Sequence, residues 1–221
     1  MVTYAIGDLH GELALLRRLL DAIGPASSDT LIFLGDYMDR GEASIETALA
    51  LIELQRQGTQ CIFLRGNHDT AWREQWEGHA FTGPPSIPGA RLVWEQSAGY
   101  VPAEIGHWLA QTRLWYGDDY AWYIHAAAVP GQPVSPPQTP AEVALWGHSA
   151  FLPSPYDWGK IVVFGHHEIF PALVMKNKVC LDTASYLCWL VRTSDPVGRR
   201  RLNILDPRSG RAVASPSGCA A

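Results

Sequence analysis

Short runs of mostly apolar residues punctuate the chain: TYAI (3–6), LIFL (31–34), CIFL (61–64), AWYIHA (121–126) and IVVFG (161–165). They are too short for helices, and their unbroken hydrophobicity predicts strands buried on both faces. Between the first three runs the period changes. Residues 12–23 (ELALLRRLLDAI) and 43–56 (ASIETALALIELQR) repeat apolar positions at helical spacing, the first closed by a Gly-Pro stop. The first third therefore reads strand–helix–strand–helix–strand, the signature of a parallel sheet with right-handed crossovers. Residues 78–102, rich in Gly and Pro, read as a loop or cap. Residues 103–111 read as a short helix, and the proline-rich 128–140 as a long loop. From Ile161 the texture turns to strands: IVVFG, KVCLD, LCWLV and LNIL.

Composition sets the bounds. With 221 residues, 47% of them hydrophobic, the chain can bury one sizeable core. It reads as a single domain over 1–212 with a disordered tail, 213–221. The formal net charge of −5 gives no general attraction to nucleic acid, and the one basic cluster, GRRR (198–201), reads as a solvated turn. No apolar stretch is long enough to span a membrane, and the N-terminus lacks the features of a signal peptide. The four cysteines, Cys61, Cys180, Cys188 and Cys219, show no metal-binding spacing and read as reduced thiols of a cytoplasmic protein.

Chemistry enters at the strand ends. TYAI is followed by GDLHG with Asp8 and His10; LIFL by GDYMDRG with Asp36, Asp39 and Arg40; CIFLR by GNHD with Asn67, His68 and Asp69. YIHAA offers His125, and VFGHH offers His166 and His167. Any one of these alone would be read as a turn or cap. Five sets at successive strand ends define a site, because ligands of open α/β sheets bind at the carboxyl edge. Carboxylate, amide and imidazole donors without thiolate suit Mn, Fe or Zn. A carboxylate can bridge two such ions, which together hold a phosphate and activate a water, while a guanidinium matches phosphate oxygens.

The ordered series GDLHG, GDYMDRG, GNHD, His125 and GH resembles the calcineurin-like metallophosphoesterases, in particular the bacterial type of their phosphoprotein phosphatase branch. It spans Gly7 to His167. The resemblance implies an α/β fold with a two-sheet β-sandwich flanked by helices and a dimetal site at the strand ends. It implies that Asp8, His10 and Asp36 hold one metal, with Asp36 bridging, and that Asn67, His125 and His166 complete the second. His68 would be the general acid, oriented by Asp39, and Arg40 would bind phosphate. Two divalent ions are implied as cofactors, Mn²⁺ in vitro or an Fe/Zn pair.

The activity implied is hydrolysis of phosphoric monoesters, on serine/threonine or tyrosine phosphoproteins or a phosphorylated small molecule. Two alternatives stand beside it: symmetrical hydrolysis of diadenosine tetraphosphate, and a non-catalytic binder of phosphorylated partners. The chain departs from relatives in three places. It has Ala127 and Ala184 where many carry glycine, His167 after His166, and His148 in LWGHSAF where relatives carry a phosphate-gripping arginine. His148 is thus a candidate substrate-binding residue, with Lys160 as the basic residue that a loop shift would bring in. His79 and His107 read as surface histidines, and Trp72, Trp76 and Trp146 as core or cap packing.

Overall fold

The structure, a computed structural model, describes residues 2–134, 138–169 and 172–183, and the backbone of three strands beyond them. The elements run β1 (Thr3–Ile6), α1 (Leu13–Ile23), β2 (Thr30–Phe33), α2 (Ser44–Arg56), β3 (Gln60–Phe63), α3 (Asn67–Glu74), α4 (Ala90–Gln96), α5 (Ala103–Ala110), β4 (Trp115–Gly117), β5 (Ala121–Ile124), α6 (Ala141–Trp146), β6 (Ile161–Phe164), β7 (Lys178–Cys180), β8 (Trp189–Ser194), β9 (Arg200–Leu205) and β10 (Ala212–Ala214). They form two sheets, ordered β10-β9-β8-β1-β2-β3 and β4-β5-β6-β7. The β1–β2 and β2–β3 pairs are parallel, as the alternating pattern requires; β1 also pairs antiparallel with β8. In the second sheet β5, β6 and β7 are parallel and β4 is antiparallel to β5.

The strand pleat explains why these runs read as continuously apolar. Successive side chains point to opposite faces. Tyr4, Ile6, Leu31 and Phe33 enter a cluster with the helices, where Leu16, Leu19, Leu51 and Ile105 lie buried. Their neighbours Ala5, Ile32 and Leu34 point the other way, against Tyr123, Val163 and Val179 of the second sheet. That sheet's remaining positions, Ile124, Val162, Phe164 and Cys180, pack outward on Phe151 and Trp158. The result is a sandwich covered on both sides. Full burial of each such aliphatic or aromatic side chain contributes about 1.5–3 kcal/mol.

Helix α1 has no side-chain cap at its start and ends at Gly24, whose φ of 50° lets its N–H reach the Leu20 carbonyl. That left-handed stop is what the Gly-Pro signal announced. Four elements before β8 were not legible. α4 lies inside the expected loop 78–102; its 7 residues make about two turns, anchored by buried Ala90 and Val93 rather than by periodicity. α3, α6 and β4 are also short, at 8, 6 and 3 residues. Arg200 and Arg201, read as part of a turn, begin β9. Of the expected tail, residues 213 and 214 belong to β10 and the rest lies outside the described residues, as do Cys188 and Cys219. Cys61 and Cys180 are free thiols. Among the described residues no helix is long and apolar enough to cross a membrane.

Candidate active site

The loops after β1, β2 and β3 interlock before any side chain is considered. The N–H groups of Leu9 and His10 both donate to the Asp36 carbonyl, at 3.0 and 2.8 Å, and Gly41 N–H donates to the His10 carbonyl at 2.9 Å. Six non-glycine residues among those described have positive φ. Five of them are His10 (42°), Asp36 (52°), Asp39 (72°), Arg40 (65°) and His166 (63°). Each left-handed non-glycine residue stores strain of order 1–3 kcal/mol, and such residues gather where function fixes the backbone. Glycine is required where chains touch these loops. A Cβ on Gly66 would sit 2.0 Å from Asp36 Oδ1, and one on Gly165 would sit 2.1 Å from Asp8 Oδ1.

Asp69 fastens the second loop to the third. One carboxylate oxygen accepts from the N–H groups of Asp36 and Gly66, both at 2.7 Å, and the other accepts from Tyr37 N–H at 3.1 Å. Burial pushes its pKa up to about 6, against the pull of those three donors. The GNHD motif contains Asp69, but its part in shaping the Asp36 loop shows only in the structure.

Asp36 stands where two groups meet. His10 Nε2 lies 3.6 Å from its Oδ2, and His125 Nε2 lies 3.6 Å from its Oδ1. The other ring nitrogens are committed. His10 Nδ1 faces the Met38 carbonyl at 3.1 Å and His125 Nδ1 the Leu34 carbonyl at 2.9 Å. A carbonyl only accepts, so both Nδ1 atoms carry hydrogen and, in the neutral ring, both Nε2 atoms present lone pairs to Asp36. Burial, reinforced by Arg40 at His10 and by His166 at His125, favours the neutral form. His10 is pushed down to about 3 and His125 well below its ordinary value. His166 is pushed down to about 4, again mainly by burial.

Asn67 Oδ1 lies between His125 Nε2 at 3.0 Å and His166 Nδ1 at 3.1 Å. Two clusters of donor atoms result, His10–Asp36–His68 and Asp36–His125–His166, and both contain Asp36. Asp8 lies beside them, its carboxylate accepting from His166 N–H at 3.1 and 3.2 Å. Buried Asp182, to which the sequence reading gave no role, raises the pKa of Asp8 and Asp36, after burial itself. Lone pairs of imidazole and amide thus converge on buried carboxylates that repel one another. Divalent cations relieve that repulsion, so the donor set fits a pair of oxygen- and nitrogen-ligated ions sharing Asp36.

His68 of the first cluster also belongs to a dyad. His68 Nδ1 lies 2.7 Å from Asp39 Oδ2, and Asp39 Oδ1 accepts from Trp72 Nε1–H at 2.9 Å. All three side chains are buried. Trp72 is core packing, as expected, but also a hydrogen-bond donor to the dyad. Arg40 is half-exposed, and its Nη1 pairs with Glu168. The remaining candidates fall outside. His148 is exposed, its Nδ1 accepting from Ala150 N–H at 3.2 Å. Lys160 donates to the Asp118 carbonyl and lies over Trp122, at the opposite end of β5 from His125. His167 is half-buried behind His166, with its Nε2 unpartnered. His79 and His107 are exposed. Trp146, expected to be packed, is 55% exposed, its ring 6.2 Å from that of His166.

Two sheets flanked by helices, with donor clusters at the carboxyl ends of β1, β2, β3, β5 and β6, define a metallophosphoesterase fold. Residues 1–170 match the family model described as calcineurin-like phosphoesterase, and the chain belongs to that family. The PP2A-like serine/threonine-protein phosphatase PPG1 of Saccharomyces cerevisiae is 39% identical over 91 residues, 41% of this chain and 25% of the relative. A Caenorhabditis elegans protein provisionally named a serine/threonine-protein phosphatase is 44% identical over 66 residues, 29% of this chain and 18% of that one. The matched stretch therefore spans a quarter or less of these relatives' length.

Similar folds occur in a solved structure provisionally named a diadenosine tetraphosphatase, with a TM-score of 0.65, 22% identity and 92% and 93% of the two chains covered. A Saccharomyces cerevisiae serine/threonine phosphatase gives 0.64 at 16% identity, over 98% and 82%. At these identities the likeness is one of fold.

Proposed function

We propose that the protein is a metal-dependent phosphoric monoester hydrolase acting on phosphoserine, phosphothreonine or phosphotyrosine in protein substrates. The observation that carries this reading is the His68–Asp39 dyad, joined through His68 to the first of two donor clusters that share Asp36. Asp8, His10 and Asp36 would hold one ion; Asn67, His125 and His166, with Asp36, the second. When bound, the ions neutralise the phosphoryl charge and supply a nucleophilic water; Mn²⁺, or an Fe/Zn pair, suits these donors.

The chain's own groups do the rest. The water oxygen bonds to phosphorus as the ester P–O bond breaks, giving an alcohol and inorganic phosphate. An alkoxide is a poor leaving group and needs a proton. His68, held at Nδ1 by Asp39, keeps its Nε2 free to give one. Asp39 accepts the Nδ1 hydrogen and stabilises the charged ring, and Trp72 fixes Asp39. Arg40 holds phosphate oxygens through the nitrogens of its planar fork. Asp69 keeps Asp36 in its left-handed conformation.

The second reading is symmetrical hydrolysis of diadenosine tetraphosphate, favoured by the neighbour provisionally named for that activity. The test is an assay with added Mn²⁺ of a phosphothreonine peptide, a phosphotyrosine peptide and diadenosine tetraphosphate, with Asp36→Asn as control. Phosphate release from the peptides in the parent protein, and none from the variant, supports the proposal. Hydrolysis of the dinucleotide alone replaces it with the second reading.

A further inference from the structure

Arg40 does not stand free. Its Nη1 is engaged by the carboxylate of Glu168, which lies two residues past His166 and 128 positions away in sequence. The two side chains are 41% and 49% exposed. The contact sits at the mouth of the site, since Arg40 follows Asp39 directly and its charge reaches His10, Asp36 and His166. A guanidinium binds carboxylate and phosphate through the same nitrogens. An incoming phosphoryl group either displaces Glu168 from Nη1 or uses the remaining nitrogens of the fork, and in both cases it binds next to a negative charge. The neighbouring basic candidates offer no substitute: His148 is engaged with Ala150 and Lys160 with Asp118.

From this geometry we infer that Glu168 competes with substrate for Arg40 and limits how much negative charge the site accepts. The inference rests on the reading of Arg40 as the phosphate-binding residue. A phosphomonoester brings about two negative charges to the site. A tetraphosphate bridge adds further negative charges that meet the Glu168 carboxylate. Glu168 thus biases the site toward monoesters and against polyphosphates. It is a positioning residue, acting through Arg40 and not on the reacting atoms.

The test begins with binding, so that it does not depend on turnover. Inorganic phosphate is titrated calorimetrically into Mn²⁺-loaded parent protein, Glu168→Gln, Arg40→Ala and the double variant. Glu168→Gln keeps the shape and removes the charge. The expected result is phosphate binding about two- to fivefold tighter, the scale of an exposed ion pair, and a gain that shrinks at high salt. In the Arg40→Ala background the same substitution should change binding little. Weaker binding by Glu168→Gln would make Glu168 a support for Arg40 and overturn the inference. No change, or an equal gain without Arg40, would overturn it as well.

Kinetics supply the second readout. In Glu168→Gln the KM for a phosphomonoester should fall, with a larger relative gain for diadenosine tetraphosphate. Equal gains for both would remove the selectivity claim. Phosphate that binds and responds to Glu168→Gln without any hydrolysis would refute the catalytic proposal alone. Phosphate binding that Arg40→Ala leaves intact would remove the premise that Arg40 binds phosphate.

Discussion

Replacing Asp39 with asparagine separates the proposed proton-donor role of His68 from metal binding. Asp39 accepts twice, from His68 Nδ1–H at 2.7 Å and from Trp72 Nε1–H at 2.9 Å. Asparagine has one oxygen for these two donors. Trp72 Nε1 can only donate, so the oxygen stays with Trp72 and the amide NH₂ turns to His68. His68 then accepts at Nδ1 and cannot hold a second proton without clashing with a donor. Its Nε2 hydrogen stays on a neutral ring and is far less acidic. A hydrogen bond between charged partners contributes about 1.5–3 kcal/mol, which corresponds to about 10- to 150-fold in rate.

The loss should depend on the leaving group. With nitrophenyl phosphate, whose phenolate leaves unaided, Asp39→Asn should be nearly as fast as the parent. With an alkyl phosphate such as phosphoserine it should be slower by the full factor. Metal content, measured by emission spectrometry, should not change, because both Asp39 oxygens face His68 and Trp72. A loss of equal size across a series of aryl and alkyl phosphates would refute the reasoning. So would loss of metal, which would make the dyad part of the ion-binding framework.

Other perturbations probe the site's construction. Gly66→Ala places a methyl group on Asp36 Oδ1, and should lower metal content together with stability by about 1–3 kcal/mol, read by calorimetry with and without Mn²⁺. Removing metal should destabilise the protein, and more so as pH rises. Asp8 and Asp36 have folded pKa values raised by burial, so ionising them above the ordinary carboxylate range opposes folding, and the penalty builds up as pH rises toward the folded values. For Asp69 that window ends at about 6. The depressed histidines give the opposite sign. His10 and His166 stabilise the fold above 6.5 and lose that contribution as pH falls toward about 3 and about 4. Melting of chelated protein from pH 5 to 8, compared with Mn²⁺-loaded protein, should show a metal-dependent gap widening upward. His148→Ala should alter phosphate inhibition by less than about twofold, as for an ordinary surface substitution.

The sequence made the first half of the site readable because each motif follows a buried strand whose apolar run is unmistakable, and parallel pairing then brings the motifs to one edge. Asp8, His10, Asp36, Asn67, His125 and His166 converge for that reason. Pairwise relations were not readable. Nothing in the order of residues says that Trp72 reaches Asp39, that Asp69 clasps the Asp36 loop, or that Glu168 takes Arg40, for these contacts span 33, 33 and 128 positions. His148 and Lys160 show the converse. Both are basic and near the motifs in sequence, but loop geometry turns one to Ala150 and the other to Asp118. The short elements α3, α4, α6 and β4 escaped because tertiary packing, not periodicity, specifies them.

The pairing of β1 with β8 sets an order on biosynthesis. Ile6 is opposite Trp189, and Asp8 meets the backbone of His166. At about 5–20 residues per second, the first strand waits roughly ten to forty seconds on the ribosome for its antiparallel neighbour. Through that interval one edge of β1 stays open, which is an aggregation hazard. A nascent chain ending before His166 lacks a donor of the second cluster. Chains truncated before that residue should therefore hold less metal than the full chain.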